Sequence, residues 1–336
     1  MNEELKKVAQ ALIATKKGLL AADESAGTIK KRFESVGLVS SPELNRKYRQ
    51  MLFTTPGIEE FLSGIIMFDE TVRQKTDEGT SFIEYLTKKG ILPGVKVDEG
   101  REPLNDMEEV TKGLEGLDAR LKEYKSLGLA FTKWRAPFII NDIYPSDGAI
   151  EENASRMAQY AKISQENGLV PIVEPEVLLD GNHTTTRCGE ITKKVLTQLF
   201  EKLKQSGIAL DGLLLKTNMV LPGKDSAVKA APLEVAQATL AAVKGTVPSE
   251  VPGIVFLSGG QTPREATANL NEINKLKGEV PWQLSFSFAR ALQGEPLDVW
   301  RGEDGNVKMA QEAFYKRAKL VSLARQGLFR PEMENE

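Results

Sequence analysis

Residues 209–218, ALDGLLLKTN, carry the pattern that decides the fold of this 336-residue chain. The apolar run Leu213, Leu214 and Leu215 has the composition of a buried strand, and it ends on Lys216. Because burial disfavours a charged amine, we expect a depressed pKa for Lys216 and a free amine that can attack a carbonyl. A single lysine at a strand end also commonly extends its ammonium into solvent, and that interpretation stays open when Lys216 is considered by itself.

Seven further runs of the same kind recur along the chain, separated by segments of helical period. The eight predicted strands begin near Gly18, Gly64, Pro93, Leu129, Leu169, Leu213, Gly253 and Trp282. Strands that alternate with helices, without repeats or low-complexity linkers, favour one (β/α)₈ TIM barrel over two doubly wound domains. We therefore expect an α/β chain with a single domain over residues 1–336, with an N-terminal helix and a short C-terminal tail.

Two intervening segments indicate where helices begin and end. An apolar stripe starts at Leu114, and Gly128 is expected to stop that helix. Thr262, Pro263 and Glu265 have the residue types of an N-cap, the first and the third position of a helix, which should begin directly behind the turn SGG.

The composition argues against several classes of function. Lys and Arg number 44 against 47 Asp and Glu, a net charge of −3, so we expect neither nucleic acid nor a membrane surface as a partner. No apolar run approaches the roughly 20 residues that cross a bilayer. The start, MNEELKKVAQAL, reads as an amphipathic helix without a signal-peptide core. A single cysteine, Cys188, fits a reducing compartment, and we expect a cytoplasmic protein.

The single histidine, His183, weighs against metal catalysis and against a Ser-His-Asp triad. Catalytic zinc usually requires two or three imidazoles, and a triad requires one beside its nucleophile. His183 lies in the polar segment LDGNHTTTRC. We expect it to face solvent, and we expect no metal site.

Polar residues follow the predicted strands at their carboxyl ends, where the chemistry of such barrels is found. They are Asp23, Ser25, Asp69, Glu70, Lys96, Lys133, Arg135, Glu174, Glu176, Lys216, Ser258, Ser287 and Arg290. Each could be a solvated or ion-paired residue when it is taken alone. Three lysines at one end, Lys96, Lys133 and Lys216, indicate a shared anion.

Glu174 and Glu176 flank a proline at the end of one predicted strand and project from the same side. Because neighbouring carboxylates do not easily both ionise, we expect one to hold a proton near neutrality and the other to act as a base. Carbonyl-amine chemistry needs such a pair. The two glutamates are also placed to neutralise Lys133 and Lys216.

The segment LSGGQTPRE from Leu257 offers an anion site. Ser258, Gly259 and Gly260 bring a hydroxyl and close backbone amides to the start of a helix, and Arg290 ends the adjacent strand. A second anion site is expected near Ser25, Thr28 and Lys96. The absence of a GxxxxGK[ST] stretch disfavours nucleotide phosphates.

Together, the runs LLAADES, GVKVD, KWR, VEPE, LLLKTNM, FLSGGQ and LSFSFARALQ resemble those of class I fructose-1,6-bisphosphate aldolases. The match runs in order from about Gly18 to Trp300. The resemblance implies reversible cleavage of fructose 1,6-bisphosphate to dihydroxyacetone phosphate and glyceraldehyde 3-phosphate through a lysine imine, in glycolysis and gluconeogenesis. It also implies that no metal or other cofactor is needed, and it implies a homotetramer.

The resemblance implies a role for each matched residue. Lys216 would form the imine, and Glu174 would be the acid and base for imine formation and for the C4 hydroxyl proton. Its charged supporters would be Glu176, Lys133 and Asp23. The C1 phosphate would be held by Ser258, Gly259, Arg290 and Ser287, with Gly260, Ala289 and Arg135 also in the substrate site. The C6 phosphate would be held by Ser25, Thr28 and Lys96.

Two departures from the family pattern affect these expectations. Animal and plant members end in a tyrosine implicated in the enamine proton transfer, whereas no tyrosine follows Tyr315 here. We therefore expect a slower enamine step. Ala289 stands where animal enzymes commonly show glycine, a change that leaves a backbone amide contact to phosphate possible.

Two other interpretations of the sequence remain. One is a related Schiff-base enzyme that acts on fructose 1-phosphate or sedoheptulose bisphosphate, or a transaldolase; two phosphate sites favour a bisphosphate. The other is a non-catalytic scaffold on the same fold, against which Lys216, Glu174, Lys133 and Asp23 together argue.

Overall fold

A computed structural model describes residues 2–336 of the chain. Eight parallel strands close into a barrel in the order β1, β10, β9, β8, β7, β6, β3, β2. The strands, with one hairpin, are β1 Gly18–Ala22, β2 Leu62–Met67, β3 Leu92–Lys96, β4 Arg101–Pro103, β5 Glu109–Thr111, β6 Phe131–Phe138, β7 Val170–Val177, β8 Leu214–Thr217, β9 Gly253–Phe256 and β10 Gln283–Phe288. Each of the eight predicted runs forms one barrel strand, so the predicted (β/α)₈ fold is confirmed.

Helices follow the barrel strands and pack outside them. They are α1 Asn2–Leu12, α2 Ala26–Glu34, α3 Pro42–Phe53, α4 Asp69–Val72, α5 Phe82–Lys88, α6 Leu117–Ser126, α7 Asp147–Glu166, α8 Thr185–Gln205, α9 Pro232–Lys244, α10 Pro263–Leu276, α11 Arg290–Trp300 and α12 Val307–Arg325. Short 3₁₀ turns lie at Ile58–Glu60, Leu210–Gly212, Asp304–Asn306 and Pro331–Glu334. The predicted N-terminal helix is confirmed from Asn2 onward; Met1 lies outside the described residues.

The predicted helix boundaries are right in two places and wrong in one. Thr262 caps α10: its hydroxyl accepts from the Glu265 amide at 3.2 Å, and its amide donates to the Glu265 carboxylate at 2.8 Å. Gly128 ends α6 with a φ of 95°. The start of α6 at Leu114 is wrong, because Gly116 takes a left-handed φ of 66° and the helix begins after it.

The antiparallel hairpin of β4 and β5, in the connection after β3, was not predicted. Its strands have three residues each, which is too short for a period of two to be recognised in the sequence. Thr111 in β5 donates its hydroxyl to the Arg135 carbonyl at 2.8 Å, so the hairpin lies against the end of β6.

The amino end of the barrel is closed by α1. Its apolar face, with Leu5, Ala9 and Leu12, joins a buried cluster inside the barrel. The strand members of that cluster are Leu19, Ala21, Ile66, Phe131, Val170, Ile172, Leu214 and Val255. The stripe of apolar residues along α1 therefore seals one end and leaves the carboxyl end as the open one.

Arg325, the last residue of α12, fixes the segment after α1. Its guanidinium is buried and donates to the Ile13 carbonyl at 2.6 Å, and also to the carbonyls of Ala14 and Lys17. Burial lowers the pKa of Arg325 to about 10. Because the last helix bonds to the first connection, both chain termini take part in closing the amino end.

Candidate active site

Side chains two residues apart on a strand point to the same face, and on four strands the inward-facing side chain changes from apolar to charged over one such interval. Leu214 belongs to the apolar cluster, and Lys216, two residues on and therefore on the same face, lines a cavity at the carboxyl end. The same change, from an apolar residue to a charged residue two positions later, occurs from Ala21 to Asp23, from Phe131 to Lys133, and from Ile172 to Glu174. The buried apolar layer thus forms the floor of a charged cavity of about 1160 Å³.

Four charged side chains on the cavity floor form a continuous chain of ion pairs. Lys133 Nζ lies 2.6 Å from Asp23 Oδ2 and 3.0 Å from Glu174 Oε2. The other oxygen of Glu174, Oε1, lies 3.0 Å from Lys216 Nζ. Lys216 is only 4% exposed and Glu174 only 3%. One carboxylate is therefore shared by two buried amines, one of which is the predicted nucleophile.

The protonation state of Glu174 follows from these neighbours. Burial alone would raise the pKa of Glu174, but the ammonium groups of Lys133 and Lys216 outweigh burial and lower that pKa. Of the two neighbouring glutamates, Glu174 is therefore the one that is ionised, and the prediction does not say which of the two keeps a proton. The expected ion pairing with Lys133 and Lys216 is present, and both amines lie against Glu174.

Asp23 and Lys133 are held in their charged forms by each other. Burial would raise the pKa of Asp23, and Lys133 and Lys216 lower it well below its usual range. Burial would lower the pKa of Lys133, and Asp23 and Glu174 raise it above its usual range. Lys133 is thus a fixed cation whose charge keeps Glu174 ionised.

Glu176 is paired with a different cation. The Arg135 guanidinium donates to Glu176 Oε2, and the Arg135 side chain is 37% exposed at the cavity wall. Gly259 lies directly opposite, since a Cβ at that position would stand 3.1 Å from Glu176 Oε1. A side chain at position 259 would therefore press on the Glu176 and Arg135 pair.

The predicted anion turn lies beside this pair. Ser258 and Gly259 line the cavity, and the Gln261 amide donates to the Ser258 carbonyl at 3.2 Å to close the turn before α10. Gly260 does not line the cavity. It takes a left-handed φ of 76° and packs against the side chain of Leu179, so its part in the turn is conformational.

The end of β10 supplies the rest of this wall. Ser287 is buried, and its hydroxyl has no hydrogen-bond partner within residues 2–336. Ala289 has φ −103° and ψ −89°, outside the helical region, directly before α11. Arg290 is exposed and begins that helix. An unpartnered buried hydroxyl, a helix N-terminus and a free guanidinium at one wall suit a phosphate group.

A second set of groups suited to an anion lies at the ends of β1 and β3, and β1 pairs directly with β10. Ser25 precedes α2, and its hydroxyl lies 3.2 Å from that of Thr28. Lys96 lines the same cavity, with its ammonium 2.7 Å from Asp98 Oδ1. The first turn of a helix and a nearby amine make this wall suited to a second anion.

Several cavity residues were missed by sequence reasoning. Lys31 and Arg32 on α2 line the cavity, and Glu24 joins them there. The signal was available for the two cations, because Thr28, Lys31 and Arg32 fall on one side of a helix that begins at the predicted anion site. Nothing local marked Asp98, whose position depends on the path of the chain after β3.

The prediction that His183 faces solvent is wrong. Its side chain is 7% exposed, because the loop after β7 pairs with the loop after β8. The Gly223 amide donates to the His183 carbonyl at 2.9 Å, and the Lys224 amide donates to the Leu179 carbonyl at 2.7 Å. Burial lowers the pKa of the imidazole. A polar stretch of sequence does not reveal such loop-to-loop pairing.

Two further observations concern the described part of the chain as a whole. No group of three or more His, Cys, Asp or Glu side chains between residues 2 and 336 is arranged to hold a metal ion. None of the helices described here is both long and apolar enough to cross a membrane.

Comparison with known proteins agrees with this geometry. The family model described as "Glycolytic: Fructose-bisphosphate aldolase class-I" matches residues 4–336. A "Probable fructose-bisphosphate aldolase class 1" of Xanthomonas axonopodis pv. citri is 49% identical, over 97% of this chain and 98% of its own. "Fructose-bisphosphate aldolase 4, cytosolic" of Arabidopsis thaliana is 50% identical over 93% of this chain and 80% of its own.

A solved structure extends the comparison to three dimensions. It is that of fructose-bisphosphate aldolase from Plasmodium falciparum in complex with TRAP and a small-molecule inhibitor, with a TM-score of 0.96 and 45% identity. The likeness covers 98% of this chain and 96% of that one. From the barrel, the family match and the full-length relatives together, the chain belongs to the class-I fructose-bisphosphate aldolase family.

Proposed function

We propose that this protein cleaves fructose 1,6-bisphosphate reversibly to dihydroxyacetone phosphate and glyceraldehyde 3-phosphate, with Lys216 as the imine-forming residue. The observation that carries the proposal is the single carboxylate of Glu174 between two buried amines. Lys216 lies 3.0 Å from one oxygen of Glu174, and Lys133 lies 3.0 Å from the other. A nucleophilic amine needs a base within this distance.

The first step is imine formation. Glu174 accepts a proton from the Lys216 ammonium, and the free amine adds to the C2 carbonyl of the open-chain ketose. Glu174 then returns that proton to the C2 oxygen and carries a second proton from the nitrogen to the same oxygen, which leaves as water, so that a positively charged iminium remains and Glu174 is ionised again. Lys133 does not compete for C2 in this scheme, because Asp23 and Glu174 hold it as a cation.

The second step breaks the C3–C4 bond. Glu174 takes the proton of the C4 hydroxyl, a C4 carbonyl forms, and the electron pair of the C3–C4 bond moves to C3 and into the iminium. Glyceraldehyde 3-phosphate departs, and an enamine stays on Lys216. Protonation at C3 and hydrolysis then release dihydroxyacetone phosphate and regenerate the amine.

Two walls of the cavity are suited to the two phosphates. Ser258, Gly259, Ser287, Ala289 and Arg290 are proposed to hold the C1 phosphate beside the iminium. The second wall, with Ser25, Thr28 and Lys96, is proposed to hold the C6 phosphate. Glu176 and Arg135 are proposed to support Glu174 from the side of the C1 phosphate. Gly260 is proposed to act only through the shape of the turn.

The setting of the reaction is proposed from the same family. We take residues 1–336 as a single domain, the protein as a cytoplasmic homotetramer, and glycolysis and gluconeogenesis as its pathways. Plant relatives described as cytosolic support the compartment. Light scattering coupled to size exclusion would give the mass of the assembly, and a monomer would contradict the tetramer.

The test of the function is a cleavage assay in excess EDTA, with both triose phosphates measured enzymatically. We expect turnover of fructose 1,6-bisphosphate that EDTA does not reduce. The same assay with fructose 1-phosphate and sedoheptulose bisphosphate gives the substrate preference. A folded protein that cleaves none of the three ketose phosphates would overturn the proposal.

A further inference from the structure

A buried amide outside the catalytic cavity connects the two phosphate-binding walls. Gln293 lies in the first turn of α11 and is 1% exposed. Its side-chain Nε2 donates to the Ala21 carbonyl at 2.6 Å and to Glu24 Oε1 at 3.0 Å, and its Oε1 accepts from Arg49 at 3.1 Å. Both N–H groups and the carbonyl of this amide therefore have partners on other elements.

These partners lie next to the groups proposed to bind substrate. Ala21 is two residues before Asp23, and Glu24 directly precedes Ser25, where α2 begins. On the other side, α11 begins at Arg290, three residues before Gln293. The amide of Gln293 thus joins the helix N-terminus at the C6-phosphate wall to the helix N-terminus at the C1-phosphate wall.

The carboxylate that Gln293 contacts is itself held firmly. Arg49 donates to Glu24 Oε2 at 2.6 Å, and Arg32 pairs with Oε1. Burial would raise the pKa of Glu24, but Arg49 and Arg32 outweigh burial and lower it. Since the buried amide of Gln293 has a partner for both N–H groups and for its oxygen, it specifies one distance between α2 and α11.

We propose that Gln293 is a positioning residue that makes the site selective for ketose bisphosphates over ketose 1-phosphates. The inference rests on the proposed function, because it assumes that one phosphate binds at each wall. A bisphosphate has to reach both walls at once, and its binding depends on their separation. A 1-phosphate contacts only the wall of Ser258 and Arg290 and does not depend on that separation.

The experiment compares the kcat/KM for fructose 1,6-bisphosphate with that for fructose 1-phosphate in the full-length protein. In Gln293→Leu the ratio of the two values is expected to fall at least about tenfold, mainly through the KM of the bisphosphate, since a misplacement of about 1 Å can cost up to about 10²-fold. The ratio does not depend on how much of the protein is folded. A merely structural role would lower both values equally.

Gln165→Leu is the matched control. Gln165 is also buried and also makes three hydrogen bonds, to the Ala209 carbonyl at 2.9 Å, the Gly212 carbonyl at 3.2 Å and the Ala209 amide at 3.0 Å. These partners lie at the start of β8, at the amino end of the barrel. The control is expected to lose stability and to keep the wild-type substrate ratio.

Tyr48→Phe is a milder variant for the case in which Gln293→Leu does not fold. It removes only the hydroxyl that donates to the backbone carbonyl of Gln293 at 3.2 Å, and a smaller fall of the same ratio is expected. An unchanged ratio in the folded variant, or an equal fall in Gln165→Leu, overturns the inference. A wild-type protein that cleaves neither ketose contradicts the proposed function itself, which is a different result.

Discussion

The two ends of the barrel hold buried cations in opposite ways. At the carboxyl end, Lys133 and Lys216 lie against the carboxylates of Asp23 and Glu174. At the amino end, Arg325 donates to backbone carbonyls, and burial lowers its pKa to about 10. A carbonyl only accepts hydrogen bonds from a cation, whereas a carboxylate can also carry a proton between an amine and a bound substrate. The position of the chemistry therefore follows from the type of acceptor, since both ends are buried.

The largest effect is expected from Lys216→Met. Cleavage should fall by at least about 10⁴-fold, because the proposed nucleophile is removed. The fold should remain, since Glu174 keeps Lys133 as its partner at 3.0 Å. Steady-state assays with circular dichroism on the same sample check both parts.

Arg325→Met is the counterpart at the amino end. It should lower the melting temperature and keep kcat per folded molecule. An equal loss of activity in Lys216→Met and Arg325→Met would contradict the comparison.

The next effect concerns stability at the carboxyl end. Lys133→Met leaves Asp23 and Glu174 buried without their shared ammonium, which should cost about 3–5 kcal/mol at neutral pH. In the wild type the pKa of both carboxyls is lowered, so their contribution is present above the unfolded pKa values, 3.8 and 4.5, and is lost as the pH falls. In the variant the ammonium of Lys133 no longer offsets burial, so both pKa values lie higher than in the wild type and stability should rise less as the pH rises.

Urea unfolding of both proteins at pH about 4 and about 7 measures this difference. The difference in the free energy of unfolding between the wild type and Lys133→Met should be larger at the higher pH. Lys122→Met is the control, since Lys122 forms an exposed pair with Asp118 and should change stability by less than about 1 kcal/mol. A gap that is wider at low pH would show that the buried ion pairs do not stabilise the site.

A somewhat smaller effect is expected at the amino end. Leu12→Ala removes buried apolar volume between α1 and the barrel interior and should cost about 3 kcal/mol. Activity per folded molecule should stay at the wild-type value, as determined by active-site titration beside chemical unfolding. Leu104→Ala, at a position 40% exposed, should change stability by less than about 0.5 kcal/mol. A lower kcat in folded Leu12→Ala would mean that the two ends are coupled.

The smallest effect is expected where a helix cap lies behind the anion turn. Thr262→Ala removes the hydroxyl that accepts from the Glu265 amide, at a cost of about 1 kcal/mol. Competitive inhibition by inorganic phosphate should weaken by about twofold, because the N-terminus of α10 is less well ordered. Ser146→Ala removes the cap of α7 and should leave phosphate inhibition unchanged. Equal inhibition by phosphate in Thr262→Ala and in the wild type would show that the N-terminus of α10 does not contribute to the anion site.

The fold could be predicted because its signals are local. Each barrel strand is an apolar run that is bounded by turn or polar residues, and few folds other than a barrel accommodate eight such strands alternating with helices. Lys216, Glu174 and Lys133 could be predicted for the same reason. A residue at the carboxyl end of a barrel strand lies at the cavity irrespective of the conformation of the loops. The cavity contains every predicted site residue except Gly260.

The features that were missed depend on contacts between distant parts of the chain. His183 is buried by a loop from the next β/α unit, and Gln293 contacts Ala21 and Glu24 almost the whole chain away. The charge state of Glu174 is set by two amines on other strands. No periodicity within one segment carries such information, so these contacts require the folded structure.

The central claim is that Lys216 is the imine-forming residue, and borohydride reduction tests it most directly. The protein is mixed with dihydroxyacetone phosphate in excess EDTA, reduced, digested and mapped by peptide mass spectrometry. We predict one reduced triose adduct, on Lys216, with none on Lys133 or Lys96. A folded protein without an adduct, or one that carries its adduct on another lysine, would contradict the account.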